Sequence, residues 1–219
     1  MASWLERTFT SSVGRKVLLG LSGFALVLFL IGHLVGNLTF YADDTGEMFD
    51  SYAHALESNP LLPLVELGLL ALFAFHIGLA VKLQMENRAA RGSNYVARGD
   101  HGQKTPASSS MLFTGIATLG FLILHLTDFR FAKEEGHSMA GMMRDVLSSP
   151  LHAAAYVAFV CLLTVHLAHG FQSAFQSLGL NHPRYTPLIK KISIGLALAL
   201  GVGFASFPVI IMLTGGDPS

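Results

Sequence analysis

Charge is scarce in this sequence: Asp, Glu, Lys and Arg make up 13% of its 219 residues, against about 25% in soluble domains. Between Asp145 and Arg184 none of these four residue types occurs. That run exceeds the roughly 20 residues that a helix needs to cross a bilayer, so the composition excludes an ordinary soluble domain. The formal net charge is zero, which argues against a nucleic-acid partner.

Cysteine is nearly absent as well, since Cys161 is the single one in the sequence. A disulfide framework, a cysteine-ligated iron–sulfur cluster or a cysteine-based zinc site needs several cysteines. All three are therefore excluded within this chain. We interpret Cys161 as a small packing residue.

Five long windows with little or no charge predict an all-α membrane protein, a bundle of five transmembrane helices. Strands are excluded because backbone groups in lipid must pair internally, which an open sheet cannot achieve. Ser149 followed by Pro150 predicts the start of the fourth span, and Gly179 predicts its end. We expect residues 1–219 to form one transmembrane domain. The predicted spans are about 17–41, 61–84, 110–130, 150–178 and 188–213.

Basic residues are unevenly distributed over the segments between these spans. Eleven of the 14 fall in segments that five alternating spans bring to one side: Arg7, Arg15, Lys16, Lys82, Arg88, Arg91, Arg98, Lys104, Arg184, Lys190 and Lys191. The other side carries Arg130, Lys133 and Arg144, together with the acidic segment 41–60. The positive-inside rule therefore predicts a cytoplasmic N-terminus and an external C-terminus.

Residues 87–109 form the longest predicted cytoplasmic loop and are rich in Gly, Ser, Arg and Lys. Two interpretations of this loop stay open. It is either a flexible, solvated linker or a basic surface on which a soluble partner docks.

Four histidines lie at matching positions in the first four predicted spans: His33, His76, His125 and His166. At about 1.5 Å per residue, each lies roughly 22–25 Å into its helix along the chain direction. Adjacent spans run in opposite directions, so His33 and His125 are expected in the outer half of the membrane. His76 and His166 are expected in the inner half. The sequence thus predicts two histidine pairs at two depths.

Two neutral imidazoles that face each other at one depth are typical of a bis-histidine haem b site. With both axial positions filled, such a haem transfers electrons and does not bind oxygen or substrate. Two alternatives stay open, namely histidines that form unrelated hydrogen bonds between helices, and a histidine-lined pathway for metal ions or protons. A zinc or di-iron centre is disfavoured, because it prefers carboxylates or several histidines at one depth.

The fourth span contains a second histidine, His169, three residues after His166. Their side chains lie about 60° apart around a helix, so they cannot both ligate one haem from the same side. His166 is preferred because Gly170 lies on the same face and leaves a flat depression suited to a porphyrin. His169 is then expected either to contact a haem propionate or to be structural. Arg15, Lys16, Ser22 and Lys82 are further candidates for propionate contacts near the inner pair.

Glu66 is an isolated carboxyl group in the second span, ten residues before His76. An intramembrane carboxyl is a functional candidate by default, and we expect Glu66 to exchange protons with a quinone. The alternative is a side chain that extends toward the outer surface from the start of the helix. Weaker candidates for quinone contact on the same side are Asp128, His152 and Tyr156.

Several motifs together suggest a family. They are Ser11-Ser-Val-Gly-Arg15-Lys16, Gly32-His33-Leu-Val-Gly36-Asn37, Phe75-His76, Leu124-His125, Leu147-Ser-Ser-Pro150 and His166-Leu-Ala-His169-Gly170-Phe-Gln-Ser-Ala-Phe. With four histidines in register on four successive helices, the sequence resembles the single-chain, five-helix, di-haem cytochrome b subunit of succinate:quinone and quinol:fumarate oxidoreductases. The resemblance covers nearly the whole chain.

The resemblance implies an outer haem b bound by His33 and His125 and an inner haem b bound by His76 and His166. The residues expected beside the haems are Gly36, Gly170 and His169. The chain itself would be an electron carrier and membrane anchor, multi-pass in the inner (cytoplasmic) membrane. It would serve a respiratory complex that oxidises succinate and reduces a quinone, menaquinone by expectation, or that reduces fumarate in the reverse direction.

The partners that the resemblance implies are a flavoprotein subunit with covalent FAD and an iron–sulfur subunit, both on the cytoplasmic face. Membrane lipid and quinone are the other expected partners, and a homo-oligomer of the whole complex stays open. A di-haem anchor of a hydrogenase or formate dehydrogenase would carry similar histidines. Its soluble partner would dock on the outer face, so the excess of basic residues on the inner side argues against it.

Overall fold

The computed structural model describes residues 11–89, 106–133 and 136–214. These residues form seven α-helices: α1 (Ser12–Asn37), α2 (Glu47–Glu57), α3 (Leu62–Ala89), α4 (Pro106–His125), α5 (Met139–Ser148), α6 (Pro150–Ser177) and α7 (Thr186–Thr214). A 3₁₀ turn at Leu38–Tyr41 follows α1, and a π-helical segment at Leu126–Phe131 follows α4. The basic residues Arg7, Arg91, Arg98 and Lys104, and most of the predicted loop 87–109, lie outside the described residues.

Five helical segments are long and apolar enough to cross a membrane: Ser12–Tyr41, Leu62–Ala89, Ser110–Phe131, Pro150–Ser177 and Thr186–Thr214. The predicted all-α, five-span architecture is therefore confirmed, and the chain is a multi-pass membrane protein. The predicted span limits differ from these by no more than five residues at any end. Hydropathy and length suffice here because a bilayer of roughly 30 Å sets both.

Local chemistry sets the ends of the long helices. The Ser11 Oγ accepts a hydrogen bond from the Gly14 backbone N–H at 3.0 Å and so caps α1. Pro150 occupies the first turn of α6 as predicted, where its missing N–H costs nothing. Gly179 has a φ of 80° directly after α6, a left-handed conformation that terminates helices. The adjacent Leu180 N–H donates to the Phe175 carbonyl at 3.0 Å, closing the helix end.

Two short helices that the hydropathy pattern does not predict, α2 and α5, cover one end of the bundle. We call this the capped end. Buried apolar side chains from both helices pack there with residues of the 3₁₀ turn, α6 and α7: Phe40, Phe49, Ala140, Met143, Leu147, Tyr156, Phe207 and Ile211. Asp50 of α2 joins the two short helices, since its carboxylate accepts bonds from the Ser138 hydroxyl at 2.6 Å and the Ala140 N–H at 2.9 Å.

Asp43 organises the turn that precedes α2. Its carboxylate accepts hydrogen bonds from the Met48 N–H at 2.8 Å, from the Thr45 hydroxyl at 2.8 Å and from the Glu47 N–H at 3.0 Å. These bonds, led by that of Met48, lower the pKa of Asp43 from 3.8 to about 2. Because the pKa is lowered, the stabilisation is present above pH 3.8 and is lost as the pH falls through about 2.

The long helices pack unequally. Within the described residues α6 is central, with extensive contacts to α1, α4 and α7, whereas α3 has extensive contacts with α1 alone. At the end of the bundle opposite the cap, Arg15 of α1 donates to the Glu86 carboxylate of α3 at 2.7 Å. The bundle is therefore tight on the α6–α7 side, and α3 is joined to the rest of the bundle mainly through α1.

Gly201 allows the closest approach in this tight half. A Cβ at Gly201 would lie 2.1 Å from the Thr164 Oγ1 of α6 and 3.1 Å from its Cγ2. We expect Gly201→Ala to destabilise the protein by about 1–3 kcal/mol through overpacking. Thermal unfolding of the detergent-purified protein measures this loss of stability, and each kcal/mol should lower the Tm by about 2–4 °C.

Gly195→Ala is the matched control, because a Cβ at this exposed position on the same helix would have no neighbour within 4 Å. It should leave the Tm unchanged or raise it slightly, since alanine favours helix over glycine. Equal effects of the two substitutions would contradict the packing role of Gly201.

Candidate functional site: two histidine pairs

The first histidine pair lies toward the capped end of the bundle. His33 of α1 and His125 of α4 face each other, with ring centroids 5.8 Å apart and ring planes at 83°. Aromatic side chains surround both imidazoles: Phe29 stacks on His33 at 5.5 Å, and Phe129 lies 5.2 Å from His125. Two helices that are far apart in sequence thus deliver two imidazoles to one apolar region.

The distance between these two rings fits a metal ion between them. With metal–nitrogen bonds of about 2.0–2.1 Å, as in zinc–histidine sites, two imidazoles on opposite sides of one ion have centroids roughly 6 Å apart. The observed 5.8 Å is close to that separation. A direct hydrogen bond between the rings does not account for the pair, because none links His33 to His125 among the described residues.

The Nδ1 atoms of this first pair lack a strong hydrogen-bond acceptor. The His125 Nδ1 is buried and has no hydrogen-bond partner among the described residues. The His33 Nδ1 lies 3.4 Å from the Asn37 Nδ2, an amide that donates to the His33 carbonyl at 2.7 Å. The described residues therefore supply no acceptor that would hold a proton on the Nδ1 of either ring.

The second pair, His76 of α3 and His166 of α6, lies toward the opposite end. Both imidazoles lie at a similar level, because each contacts a residue 11 positions before His33 on α1 or before His125 on α4. Each is also held by a hydroxyl group from a neighbouring helix. The His76 Nδ1 lies 2.9 Å from the Ser22 Oγ of α1, and the His166 Nδ1 lies 3.3 Å from the Thr114 Oγ1 of α4.

The structure separates the roles of the residues predicted around His166. The Thr114 contact involves His166, whereas His169 lies three residues further along the same helix. A Cβ at Gly170 would lie 3.7 Å from the Met111 Cε, and one at Gly115 would lie 3.4 Å from the His166 Cε1. The glycine in contact with the His166 ring is therefore Gly115.

Gly36 has a clear packing role. A Cβ at this position would lie 2.5 Å from ring atoms of Tyr52, so the glycine makes room for a side chain of α2. Its predicted place beside a haem, like those of Gly170 and His169, stays a prediction.

Glu66, the isolated carboxyl of the sequence pattern, is paired in the folded chain. Arg130, at the end of the third span, donates to it through Nε at 2.8 Å and through Nη2 at 3.1 Å. Such bidentate geometry is the strongest form of an arginine–carboxylate pair. The Glu66 side chain is 38% exposed and that of Arg130 59% exposed, so the pair lies on the outside of the bundle toward the capped end.

A second carboxyl group lies nearer to the histidines. The Tyr156 hydroxyl of α6 donates to the Asp128 carboxylate at 2.8 Å, and the Tyr156 ring lies 6.3 Å from that of His125. His152 is placed differently, since its Nδ1 lies 3.3 Å from the Ser149 hydroxyl. Asp128 and Tyr156, weaker candidates in the sequence, thus form a part-buried acid–phenol pair beside the first histidine pair.

No group of three or more His, Cys, Asp or Glu residues that could hold a metal ion occurs in the part of the chain that the structure describes. Each histidine pair can supply two ligands. A metal ion bound there would need its remaining ligands from a cofactor, as the iron of a bis-histidine haem does. Two histidines per pair are the protein ligands that a bis-histidine haem needs, so the residues of both pairs fit this cofactor.

The sequence pattern missed the hydroxyl contacts of the second pair. Ser22 was a candidate for a haem propionate and instead contacts the His76 ring, while Thr114 was not a candidate at all. Both precede a glycine within an apolar helix, as Ser22-Gly23 and Thr114-Gly115. A hydroxyl residue followed by glycine, which occurs in both helices, is the sequence signal that could have predicted these contacts.

Comparison with known proteins tests the family resemblance that the sequence motifs suggest. The chain is 27% identical to the succinate dehydrogenase cytochrome b558 subunit of Bacillus subtilis (strain 168) over 184 residues, which are 81% of this chain and 84% of that protein. No family model and no solved structure matches the chain. The similarity extends through most of the five-helix bundle, and the predicted resemblance is confirmed: this chain is similar to the cytochrome b subunit of a succinate dehydrogenase.

Proposed function

We propose that this chain is the cytochrome b membrane anchor of a succinate:quinone oxidoreductase, and that it carries electrons through two b haems. The observation that carries the proposal is the placement of four histidines at two levels of one apolar bundle: His33 faces His125, and His76 and His166 each contact a residue 11 positions before one of them. The similarity to a succinate dehydrogenase cytochrome b558 subunit supports it.

In this proposal the two imidazoles of each histidine pair would hold one haem b. The haem would supply one-electron chemistry when bound, and the chain supplies its ligands and surroundings. The chain keeps the iron in an aromatic, water-poor environment: Phe29, Phe121 and Phe129 surround the first pair. Two haems at two depths give electrons a path between the two faces of the membrane.

The proposed complex has further subunits. A flavoprotein subunit with FAD and an iron–sulfur subunit bind the face that carries most of the basic residues, which the positive-inside rule assigns to the cytoplasm. The membrane is then the inner (cytoplasmic) membrane, the His76–His166 pair is the inner pair, and the capped end is external. Electrons pass from succinate through flavin and clusters to the inner haem, the outer haem and the quinone, or in reverse during fumarate reduction.

Haem content tests this function directly. A reduced-minus-oxidised spectrum of the purified complex should give two b-type haems per chain. His76→Ala should remove the inner haem and halve the haem content while the outer haem stays, because an imidazole is lost from one pair only. His33→Ala should remove the other haem. Haem extraction and redox titration measure both effects.

His54→Ala is the control for these variants, since His54 is an exposed residue of α2 and belongs to neither pair. Its haem content should equal that of the wild type. A complex without b haem, or a His76→Ala variant with both haems at full occupancy, would contradict the proposed function.

The quinone reaction needs proton exchange as well as electrons, and we assign it to the capped end. Two carboxyl groups of the spans lie there, Glu66 in its pair with Arg130 and Asp128 in its pair with Tyr156. In the proposal Glu66 exchanges protons with the quinone, for which it must part from Arg130. Asp128 and Tyr156 lie closer to His125 and are the second candidates.

Substitution of the two carboxyl groups decides between them. Glu66→Gln should lower quinone reduction by succinate at least tenfold, in keeping with the roughly 10²–10⁴-fold contribution of general acid–base groups, while both haems stay bound. Arg130→Gln keeps the carboxylate and removes only the ion pair, so it should retain more activity. If Asp128→Asn abolishes quinone reduction and Glu66→Gln does not, the acid–phenol pair is the proton-exchanging site and the assignment of Glu66 is wrong.

A further inference from the structure

Buried polar side chains are rare in the described residues, and half of them contact a histidine of the second pair. The buried polar or charged residues are Arg15, Ser22, Thr114 and Ser193. Ser22 is 5% exposed and Thr114 is 2% exposed. A buried hydroxyl group in an apolar helix is costly unless its hydrogen bonds are made. Each of these hydroxyl groups is hydrogen-bonded both to backbone carbonyls of its own helix and to the Nδ1 of an imidazole.

The single hydroxyl hydrogen of each residue is already used. The Ser22 hydroxyl donates to the Leu19 carbonyl at 2.9 Å. The Thr114 hydroxyl donates to the Ser110 and Met111 carbonyls, at 3.1 and 3.2 Å. A hydroxyl group has one hydrogen and two acceptor lone pairs. When this hydrogen goes to the helix carbonyls, the oxygens accept a hydrogen bond from the histidine rings.

The acceptor role of the hydroxyls determines the protonation of the rings. The His76 Nδ1 at 2.9 Å and the His166 Nδ1 at 3.3 Å must carry the hydrogen in these bonds. In a neutral imidazole the other nitrogen, Nε2, then has a free lone pair. That is the nitrogen that a metal ion requires.

The glycine that follows each hydroxyl residue leaves room for the histidine ring. A Cβ at Gly23 would lie 3.4 Å from the His76 Cε1, and a Cβ at Gly115 would lie 3.4 Å from the His166 Cε1. The two dipeptides thus contact their rings in the same way, with the hydroxyl at Nδ1 and the glycine at Cε1. The same arrangement occurs on α1 toward α3 and on α4 toward α6, so both rings of the second pair are held identically.

We propose that Ser22 and Thr114 are positioning residues that hold His76 and His166 in the Nδ1-protonated form, orient Nε2 toward the haem iron and raise the basicity of both ligands. This inference rests on the proposed haem function. Ligand basicity rises because a hydrogen bond from Nδ1–H to an oxygen increases the electron density on the ring. A more basic ligand stabilises ferric over ferrous iron, so the two hydroxyls lower the reduction potential of the inner haem.

The first pair provides an internal comparison. The buried His125 Nδ1 has no partner among the described residues, and the group nearest the His33 Nδ1 is the Asn37 Nδ2, itself a donor. Among the described residues, no hydroxyl group accepts a hydrogen bond from the Nδ1 of His33 or His125. The effect of Ser22 and Thr114 is therefore specific to the inner haem.

Redox titration of the purified complex tests the proposal, with the inner haem identified as the one that His76→Ala removes. Ser22→Ala and Thr114→Val should each raise the ratio of reduced to oxidised inner haem at a fixed ambient potential by up to about tenfold, which is a 59 mV shift for a one-electron couple. The outer haem should keep its potential. Ser22→Thr and Thr114→Ser retain the hydroxyl and should restore the wild-type value.

Ser193→Ala and Thr118→Val are the matched controls. Ser193 is 1% exposed and donates to the Ile189 carbonyl, and Thr118 lies on the same helix as Thr114 and donates to the Thr114 carbonyl. Neither should change the potential of the inner haem. If Ser22→Ala fails to assemble, Thr114→Val tests the same claim on the other ring of the pair.

The outcomes separate this inference from the proposed function. A wild-type complex without b haem overturns both. A wild-type complex with two haems, in which Ser22→Ala and Thr114→Val leave the inner potential unchanged or shift it no more than the controls do, overturns the positioning role alone.

Discussion

The placement of four half-buried imidazoles among apolar helices is the constraint on which the rest of this structure depends. Each ring has two nitrogen atoms, and lipid offers neither a partner. The protein satisfies the Nδ1 atoms of His76 and His166 with hydroxyl groups and sets His33 against His125 in an aromatic surrounding. In the proposed function the remaining nitrogens bind the iron of the haems.

The packing of the helices divides the bundle into two parts with different tasks. α7 has no histidine and packs closely on α6, where Gly201 admits the Thr164 side chain. The four histidines lie on α1, α3, α4 and α6, and α3 has extensive contacts with α1 alone. Close packing therefore holds α6 against α7, whereas α3 with its histidine is joined to the bundle mainly through α1.

The two ends of the bundle differ in chemistry, which matches the two halves of the proposed reaction. The capped end carries two short helices, the ion pair of Glu66 with Arg130 and the acid–phenol pair of Asp128 with Tyr156. Most of the basic residues that the structure describes lie at the opposite end, and Arg15 there is paired with Glu86. In the proposed function, proton exchange with a quinone and docking of soluble subunits use separate ends of the bundle.

The sequence by itself determined the five spans, their limits to within five residues and the register of the four histidines, because the thickness of a bilayer and the rise of a helix are fixed lengths. It did not predict α2 and α5, whose 11 and 10 residues are too short and too polar for a hydropathy signal. Only the tertiary structure decided which side chains pair: Glu66 with Arg130, Ser22 with His76 and Thr114 with His166. These contacts join residues more than 50 positions apart, and they depend on how the helices are rotated against each other, which local patterns do not specify.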